Sequence, residues 1–231
     1  MKLNPNQTIW LFDLDNTLHN ASKAVFPAIA ENMTRYMAQV LADENGQVDM
    51  ERVNHLRTEY LRRYGATLQG MIIHHGVKQE EFLREAHRFD NLTQLLHLDR
   101  GVARVLRRLP GKKILFTNAP HAYSREVLQH LRLHRDFAGH IAIEQMRVHG
   151  KAHPKPSKAY LRKLLAQHGW QARQCILVED SVANLQAAKR LGLRTVMITG
   201  HGQHVVQKSR TACADITVKS VFQLARLFKS W

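Results

Sequence analysis

Two aspartates close the first apolar run of the chain, which reads WLFDLDNTL over residues 10–18. Asp13 and Asp15 are separated by one leucine, and Thr17 follows two residues later. Carboxylates this close together repel each other, so the pair costs stability unless something offsets its charge. Either the pair is a solvated turn, or a cation and an anionic substrate bind there.

Two other apolar runs also end in polar residues. Thr117 and Asn118 follow KKILF, and Glu179 and Asp180 follow QCILV. Each of these residues has an ordinary explanation in a loop or at a helix start, where the helix dipole favours acidic side chains. Lys155 lies between two prolines and has an equally ordinary explanation as a surface residue. None of these residues identifies a site by itself.

The three apolar runs have the length and the two-sided hydrophobicity of central strands in a parallel sheet covered by helices. Helical patterns follow the later runs over 121–133 and 182–191, and further strands are predicted at 194–198 and 215–218. Strands that alternate with helices predict an α/β fold with a doubly wound, Rossmann-like parallel sheet. Ligands of such sheets bind at the carboxyl ends of the strands. We therefore expect the polar residues to meet at one edge.

Carboxylates from two separate strands would converge at that edge and would repel one another without a divalent cation. Oxygen ligands suit Mg²⁺, which keeps some of its water and bridges to a substrate phosphate. The convergence of all these residues at one edge carries more weight than any of them alone. We therefore predict a Mg²⁺ site beside a phosphorylated substrate.

The segment after the first strand has a different character. It carries almost no strand signal and four amphipathic helical patterns, separated by Gly46, Gly65 and Gly76. An insertion of this size is too long for a loop and predicts a small helical domain. We predict a Rossmann-like core formed by residues 1–18 and 97–231, with an inserted helical domain at 19–96.

The sequences DLDNT, TN, KP and ED, in this order, resemble the four motifs of the haloacid dehalogenase-like superfamily of phosphohydrolases. The resemblance covers essentially the whole chain, and the helical insertion corresponds to the cap of that family. It implies a Mg²⁺-dependent phosphomonoester hydrolase that acts through an aspartyl-phosphate. Asp15 favours phosphate esters over halides, because a leaving halide needs no proton.

The resemblance also implies a role for each matched residue. Asp13 attacks phosphorus, and Asp15 protonates the leaving alcohol and then takes a proton from water. The Asp13 carboxylate, the Asp15 backbone carbonyl and Asp180 hold Mg²⁺, with Glu179 assisting directly or through water. The residues implied to bind the phosphoryl group are Thr117, Asn118 and Lys155.

Four stretches resemble the pyrimidine 5'-nucleotidase branch: FDLDNTLHNAS, YGATLQGMIIHHG, TNAPHA and VEDSVANLQAAKRLG. This resemblance implies nucleoside 5'-monophosphates such as UMP or CMP as substrates. Glu179 departs from the Asp of that branch, and Glu-Asp also occurs in sugar phosphomutases, so a sugar-phosphate or phosphoglycolate phosphatase and a phosphomutase stay open. Candidate substrate contacts, each with a competing surface or core interpretation, are His19, Arg63, Gln69, His74 and His87.

The 231 residues are 44% hydrophobic and 23% charged, which is typical of a folded globular protein. No run reaches the length of a membrane helix, and the N-terminus lacks a secretory pattern, so we expect a cytoplasmic protein without a membrane partner. We favour a monomer. The formal charge of +15 attracts anions. A basic nucleic-acid-binding module is a distant alternative, because no nucleic-acid motif occurs and only 7% of residues are aromatic.

Overall fold

The computed structural model describes residues 4–97, 101–201 and 214–227. The chain divides into two compact units, one comprising Met1–Ser22 and Thr93–Trp231 and the other Lys23–Leu92. We call the first the sheet unit and the second the helical unit. The domain boundaries proposed from the sequence, after residues 18 and 96, stay predictions.

Four helices form the helical unit, in agreement with the four amphipathic patterns of the sequence. They are α1 (Val25–Leu41), α2 (Met50–Tyr64), α3 (Thr67–His75) and α4 (Gln79–Ala86). The carboxylate of Asp49 accepts from two backbone amides at the start of α2, and Gly65 ends that helix in the left-handed conformation. Gly70 of α3 permits a close approach to α2, since a Cβ there would lie 2.1 Å from the Tyr60 ring.

Six strands form the main sheet of the sheet unit, and all their pairings are parallel. Two short strands, β4 and β5, pair separately and antiparallel. The spatial order of the main sheet is β3-β2-β1-β6-β7-β8. The bounds are β1 Ile9–Phe12, β2 Lys112–Phe116, β3 Gly139–Ile141, β4 Arg147–Val148, β5 Lys151–Ala152, β6 Cys175–Glu179, β7 Arg194–Ile198 and β8 Ile216–Val218.

All residues of β1 and β6 are buried, as expected for neighbouring central strands covered on both faces. All but the last of the remaining described helices lie between strands in the sequence, and none of the described helices combines the length and hydrophobicity needed to cross a membrane. The predicted doubly wound α/β fold is confirmed. The remaining helices are α5 (Leu92–Leu95), α6 (Val102–Arg108), α7 (His121–His130), α8 (Lys158–His168), α9 (Val182–Lys189) and α10 (Leu224–Leu227).

Candidate active site

Three carboxylates meet where the central strands end. Asp13 directly follows β1, and its backbone amide donates to the Val178 carbonyl of the neighbouring β6 at 3.0 Å. Glu179 is the last residue of β6, and Asp180 follows it. One carboxylate oxygen from each of the three lies within 4.8 Å of the other two. The parallel pairing of β1 with β6 therefore brings together acids that are more than 160 residues apart in the sequence.

A buried lysine joins two of these acids. The Nζ atom of Lys155 donates to Asp13 Oδ1 and to Glu179 Oε1, both at 2.7 Å. Asn118 anchors the lysine backbone from the loop after β2: its Nδ2 donates to the Lys155 carbonyl at 3.0 Å, and its Oδ1 accepts from the Lys155 amide at 2.9 Å. This reciprocal pair fixes the position from which the ammonium reaches Asp13.

The charges of the cluster do not balance. Burial and the charge of Glu179 raise the pKa of Asp13 well above its usual range, and the same two causes raise the pKa of Asp180 to about 7. Burial alone would raise the pKa of Glu179, but the charge of Lys155 and its hydrogen bonds lower it overall. Three carboxylates thus face one ammonium, and this all-oxygen set fits a hard divalent cation such as Mg²⁺.

Both carboxylate oxygens of Glu179 already accept hydrogen bonds from other groups of the protein. Its Oε1 accepts from Lys155 and from Asn184 Nδ2, and its Oε2 accepts from the Ser181 amide at 2.7 Å. These bonds explain the ionised state of Glu179 and make it the charge partner of Lys155. The metal-binding role of Glu179 implied by the family resemblance stays a prediction.

Asp15 has a different environment from Asp13. Its Oδ1 accepts from the Tyr123 hydroxyl at 2.7 Å and lies 2.9 Å from His19 Nε2. His19 is 1% exposed, and its Nδ1 is buried without a hydrogen-bond partner among the described residues. The substrate contact predicted for His19 stays a prediction, and the ring is instead a neighbour of Asp15.

Thr117 lies directly after β2 and is buried. Its amide donates to the Ile141 carbonyl at 3.0 Å, and its hydroxyl oxygen accepts from the Ala119 amide at 3.0 Å. The hydroxyl therefore keeps its proton for donation to another group. Binding of phosphoryl oxygens by Thr117, Asn118 and Lys155 stays a prediction.

The other sequence-derived substrate candidates belong to the helical unit. Arg63 and Gln69 are exposed, and the Cζ atom of Arg63 lies 5.3 Å from the centroid of the Tyr64 ring. His74 Nε2 lies 2.7 Å from the Tyr64 hydroxyl. His87 Nδ1 lies 2.9 Å from the Leu83 carbonyl oxygen. These contacts are made within the helical unit, and the predicted roles of the four residues in substrate binding stay predictions.

Two residues of the site were not predicted from the sequence. Tyr123 lies within the helical pattern predicted over 121–133, and the available signal was that a buried tyrosine needs a partner for its hydroxyl. Asn16 has φ of 59°, a conformation that Asn tolerates, and its side chain bonds to both the hydroxyl and the amide of Ser22. A hydrogen bond from Asn16 also acts to lower the pKa of Asp180, against the net rise.

Comparison with known proteins agrees with this geometry. Residues 9–192 match the family model described as a haloacid dehalogenase-like hydrolase. The chain belongs to this family. The match confirms the superfamily resemblance of the sequence and the prediction of a hydrolase. It says nothing of the pyrimidine 5'-nucleotidase branch.

Individual relatives of this haloacid dehalogenase-like hydrolase are more distant. A phosphoglycolate phosphatase of Aliivibrio fischeri (strain ATCC 700601 / ES114) is 29% identical over 145 residues, which are 60% of this chain and 62% of that protein. The match thus spans about three fifths of the relative's length.

Solved structures resemble the chain over nearly their whole length. A predicted phosphatase from Clostridium acetobutylicum matches with a TM-score of 0.64 and 18% identity, covering 98% of this chain and 100% of that one. A putative beta-phosphoglucomutase from Thermotoga maritima matches with a TM-score of 0.60 and 20% identity, covering 96% and 99%. At these identities the likeness supports the fold alone.

Proposed function

We propose that this hydrolase is a Mg²⁺-dependent phosphomonoesterase that acts on a small alkyl phosphate of the phosphoglycolate type. The observation that carries the proposal is the buried contact of Lys155 Nζ with Asp13 Oδ1 at 2.7 Å, inside a cluster of three carboxylates. Lys155 and a cation bound by the carboxylates would place positive charge on two sides of Asp13. This arrangement is suited to receive a dianionic phosphoryl group. Phosphoryl transfer needs mainly such positioning and charge stabilisation.

Asp13 is the proposed nucleophile. Its oxygen attacks phosphorus, the bond from phosphorus to the alcohol oxygen breaks, and an aspartyl-phosphate forms, which divides one difficult hydrolysis into two easier steps. Lys155 holds the attacking carboxylate in place and offsets charge on the phosphoryl oxygens. Thr117 and Asn118, at the end of β2, contribute a hydroxyl and a backbone amide to the same oxygens.

Asp15 is the proposed acid and base. It gives a proton to the leaving alcohol in the first step, and in the second it takes a proton from the water that attacks the aspartyl-phosphate. Its partners, Tyr123 and His19, carry no carboxylate, whereas Asp13 shares the ammonium of Lys155 with Glu179. The two aspartates therefore have unequal surroundings, as their two roles require.

The proposed metal ligands are the carboxylates of Asp13 and Asp180 with the backbone carbonyl of Asp15. Mg²⁺, when bound there, supplies positive charge that offsets the carboxylates and the phosphoryl oxygens. Glu179 assists by holding Lys155, to which it is bonded at 2.7 Å. Removal of the metal should therefore remove activity without releasing Lys155 from Asp13.

Phosphoglycolate is favoured over a nucleotide by the name of the curated relative in Aliivibrio fischeri. Phosphoglycolate also carries a carboxylate in addition to its phosphate, so it is more anionic than a nucleoside monophosphate and suits a chain with a formal charge of +15. Pyrimidine 5'-nucleotidase activity is the second candidate, because four stretches of the sequence resemble that branch. We retain as further proposals a cap function for the helical insertion and the domain division after residues 18 and 96.

A substrate panel tests the proposal. The ratio kcat/KM is measured for phosphoglycolate, UMP, CMP, AMP and hexose phosphates, each with Mg²⁺ and with EDTA, and products are analysed for free phosphate and for isomerised sugar phosphate. We expect release of phosphate, dependence on Mg²⁺ and the highest ratio for phosphoglycolate. Pyrimidine nucleotides in first place would move the assignment to the second candidate, and an isomerised sugar would identify a mutase.

Asp13→Asn tests the nucleophile. The variant keeps the size of the side chain and should lower kcat by about 10⁴-fold or more. Asp215→Asn is the matched control, since Asp215 is a carboxylate of the same unit that pairs with Lys189 at 3.0 Å and lies outside the cluster. Turnover retained in Asp13→Asn would remove Asp13 from its proposed role.

A further inference from the structure

Among the described residues, all hydrogen bonds to the side chain of Asp15 reach one of its two oxygens, Oδ1. Within the part of the chain that the structure describes, Tyr123 and His19 both contact Oδ1, at 2.7 and 2.9 Å. Tyr123 comes from α7 and His19 from the loop after β1, so the two donors are fixed by different elements. Both side chains are buried, at 4% and 1% exposure, and neither can leave Oδ1 without local rearrangement.

We propose that His19 and Tyr123 are positioning residues that occupy Oδ1 of Asp15 and thereby reserve Oδ2 as the oxygen through which protons pass. This inference rests on the acid–base role proposed above for Asp15. A carboxyl oxygen that accepts two hydrogen bonds has no lone pair left for a transferred proton, whereas the other oxygen does. The two donors also fix the rotation of the carboxyl group.

The buried surroundings of His19 select the state of its ring. If Nε2 carries the proton, it donates to Oδ1, and Nδ1 has a lone pair without a donor among the described residues. If Nδ1 carried the proton, a buried N–H group would have no acceptor among the described residues, which is the more costly arrangement. His19 is therefore a donor to Asp15 through Nε2, in the same sense as the Tyr123 hydroxyl.

The proton balance follows from this arrangement. In the first step the proton on Oδ2 moves to the leaving oxygen as the phosphorus–oxygen bond breaks, and Asp15 becomes a carboxylate. In the second step water attacks phosphorus and gives its proton to Oδ2, while the bond between phosphorus and Asp13 breaks. Phosphate leaves, and both aspartates return to their starting states.

Leaving groups that differ in their need for a proton test the inference. The variants are His19→Phe and Tyr123→Phe, which remove the donors and keep aromatic rings. With the best alkyl phosphate of the panel, kcat should fall about 10–100-fold at nearly constant KM, because the alkoxide needs a well-placed acid. With p-nitrophenyl phosphate, the first step should change by less than about threefold, because nitrophenolate leaves without a proton.

Rapid mixing with p-nitrophenyl phosphate separates the two steps. Water activation still needs Oδ2, so the variants should release a burst of nitrophenol approaching one equivalent per enzyme, followed by slow turnover. His19→Gln should restore activity in part, because its amide nitrogen reaches the position of Nε2. A burst in both Phe variants together with this rescue is the expected result.

A neighbouring variant controls for disturbance of α7. Ser124→Ala removes the buried hydroxyl next to Tyr123, which lies 2.7 Å from His140 Nε2 and does not contact Asp15. It should leave the ratio of alkyl to aryl turnover unchanged. The inference would be overturned if the Phe variants lost activity equally on both substrates or lost none. In that case wild-type activity and the Asp13→Asn result would still support the proposed function. An inactive wild-type enzyme would instead reject the proposed function itself. If one Phe variant does not fold, the other Phe variant and His19→Gln, measured by the same burst, decide the question.

Discussion

Replacement of Lys155 by methionine is the most direct test of the charge balance in the cluster. The Lys155 side chain is 3% exposed, and its ammonium contacts the carboxylates of Asp13 and Glu179 at 2.7 Å. The carboxylate of Asp180 belongs to the same cluster. Methionine fills similar volume but leaves the buried Asp13 and Glu179 and the half-buried Asp180 without a cation. Breaking a buried ion pair from one side costs about 3–5 kcal/mol. We expect Lys155→Met to lose stability on this scale.

The loss is measured by thermal unfolding in EDTA at pH 8. For a chain of this size each kcal/mol lowers Tm by about 2–4 °C, so the expected decrease is about 6–20 °C. Burial already raises the pKa of Asp13 and Asp180, and loss of the ammonium raises both further. Protonation of these acids at lower pH relieves the repulsion, and the decrease in Tm should therefore be smaller at pH 5. Added Mg²⁺ should stabilise the variant more than the wild type.

Two further variants make the test decisive. Lys189→Met breaks the exposed pair with Asp215, and such pairs contribute only about 0–1 kcal/mol. The double variant Lys155→Met with Glu179→Gln removes one of the unpaired charges and should recover about 1–3 kcal/mol, the scale of coupling within one network. If Lys155→Met lost no more stability than Lys189→Met at pH 8 in EDTA, the charge balance inferred for the cluster would be wrong.

Three other outcomes are expected. The pKa of Asp180 is raised to about 7 in the folded protein, so the metal-free protein should lose stability as the pH rises from about 4 through 7. Excess Mg²⁺ should abolish this loss. Measurements of Tm against pH, in EDTA and in Mg²⁺, check both expectations. Gly70→Ala should cost about 1–3 kcal/mol, measured by urea unfolding, since its Cβ would lie 2.1 Å from the Tyr60 ring. Burial raises the pKa of the Cys175 thiol to about 12, so iodoacetamide at pH 8 should modify Cys175 only after unfolding, as peptide mass spectrometry would report.

The sequence predicted the central part of the sheet because apolar runs buried on both faces leave a clear pattern. β1, β2 and β6 correspond to the runs IWLF, KKILF and QCILV, which end in polar residues. β3 was not predicted, because this edge strand has only the three partly buried residues Gly139–Ile141. The hairpin of β4 and β5 was missed for the same reason, since each strand has two residues and shows no periodicity.

The site was predictable where strand ends define it and unpredictable where side chains select partners. Asp13, Glu179 and Asp180 meet because β1 and β6 are neighbours, whereas the alternation of strands and helices predicted only that their ends share one edge of the sheet. The helical pattern predicted over 121–133 includes Tyr123, but periodicity carries no information about which polar atom its hydroxyl contacts. The sequence also did not indicate that His19 contacts Asp15, since this contact depends on the three-dimensional path of the loop after β1.

Asp13 and Asp15 look equivalent in the sequence, and their neighbours make them different. Asp13 bonds to a cation that also binds Glu179, so its carboxylate belongs to a charged network with an excess of acids. Asp15 bonds to a hydroxyl and an imidazole, which donate to one oxygen and add no second carboxylate. A nucleophile must remain a carboxylate beside an anionic phosphoryl group, and Lys155 serves that need, because its charge and its hydrogen bond act to lower the pKa of Asp13 against the rise caused by burial and by Glu179. An acid that later becomes a base must instead exchange a proton easily, and the carboxylate oxygen that Tyr123 and His19 leave unoccupied serves that need. The division of labour proposed here thus follows from which donors reach each carboxylate, a property of the folded loop and of α7.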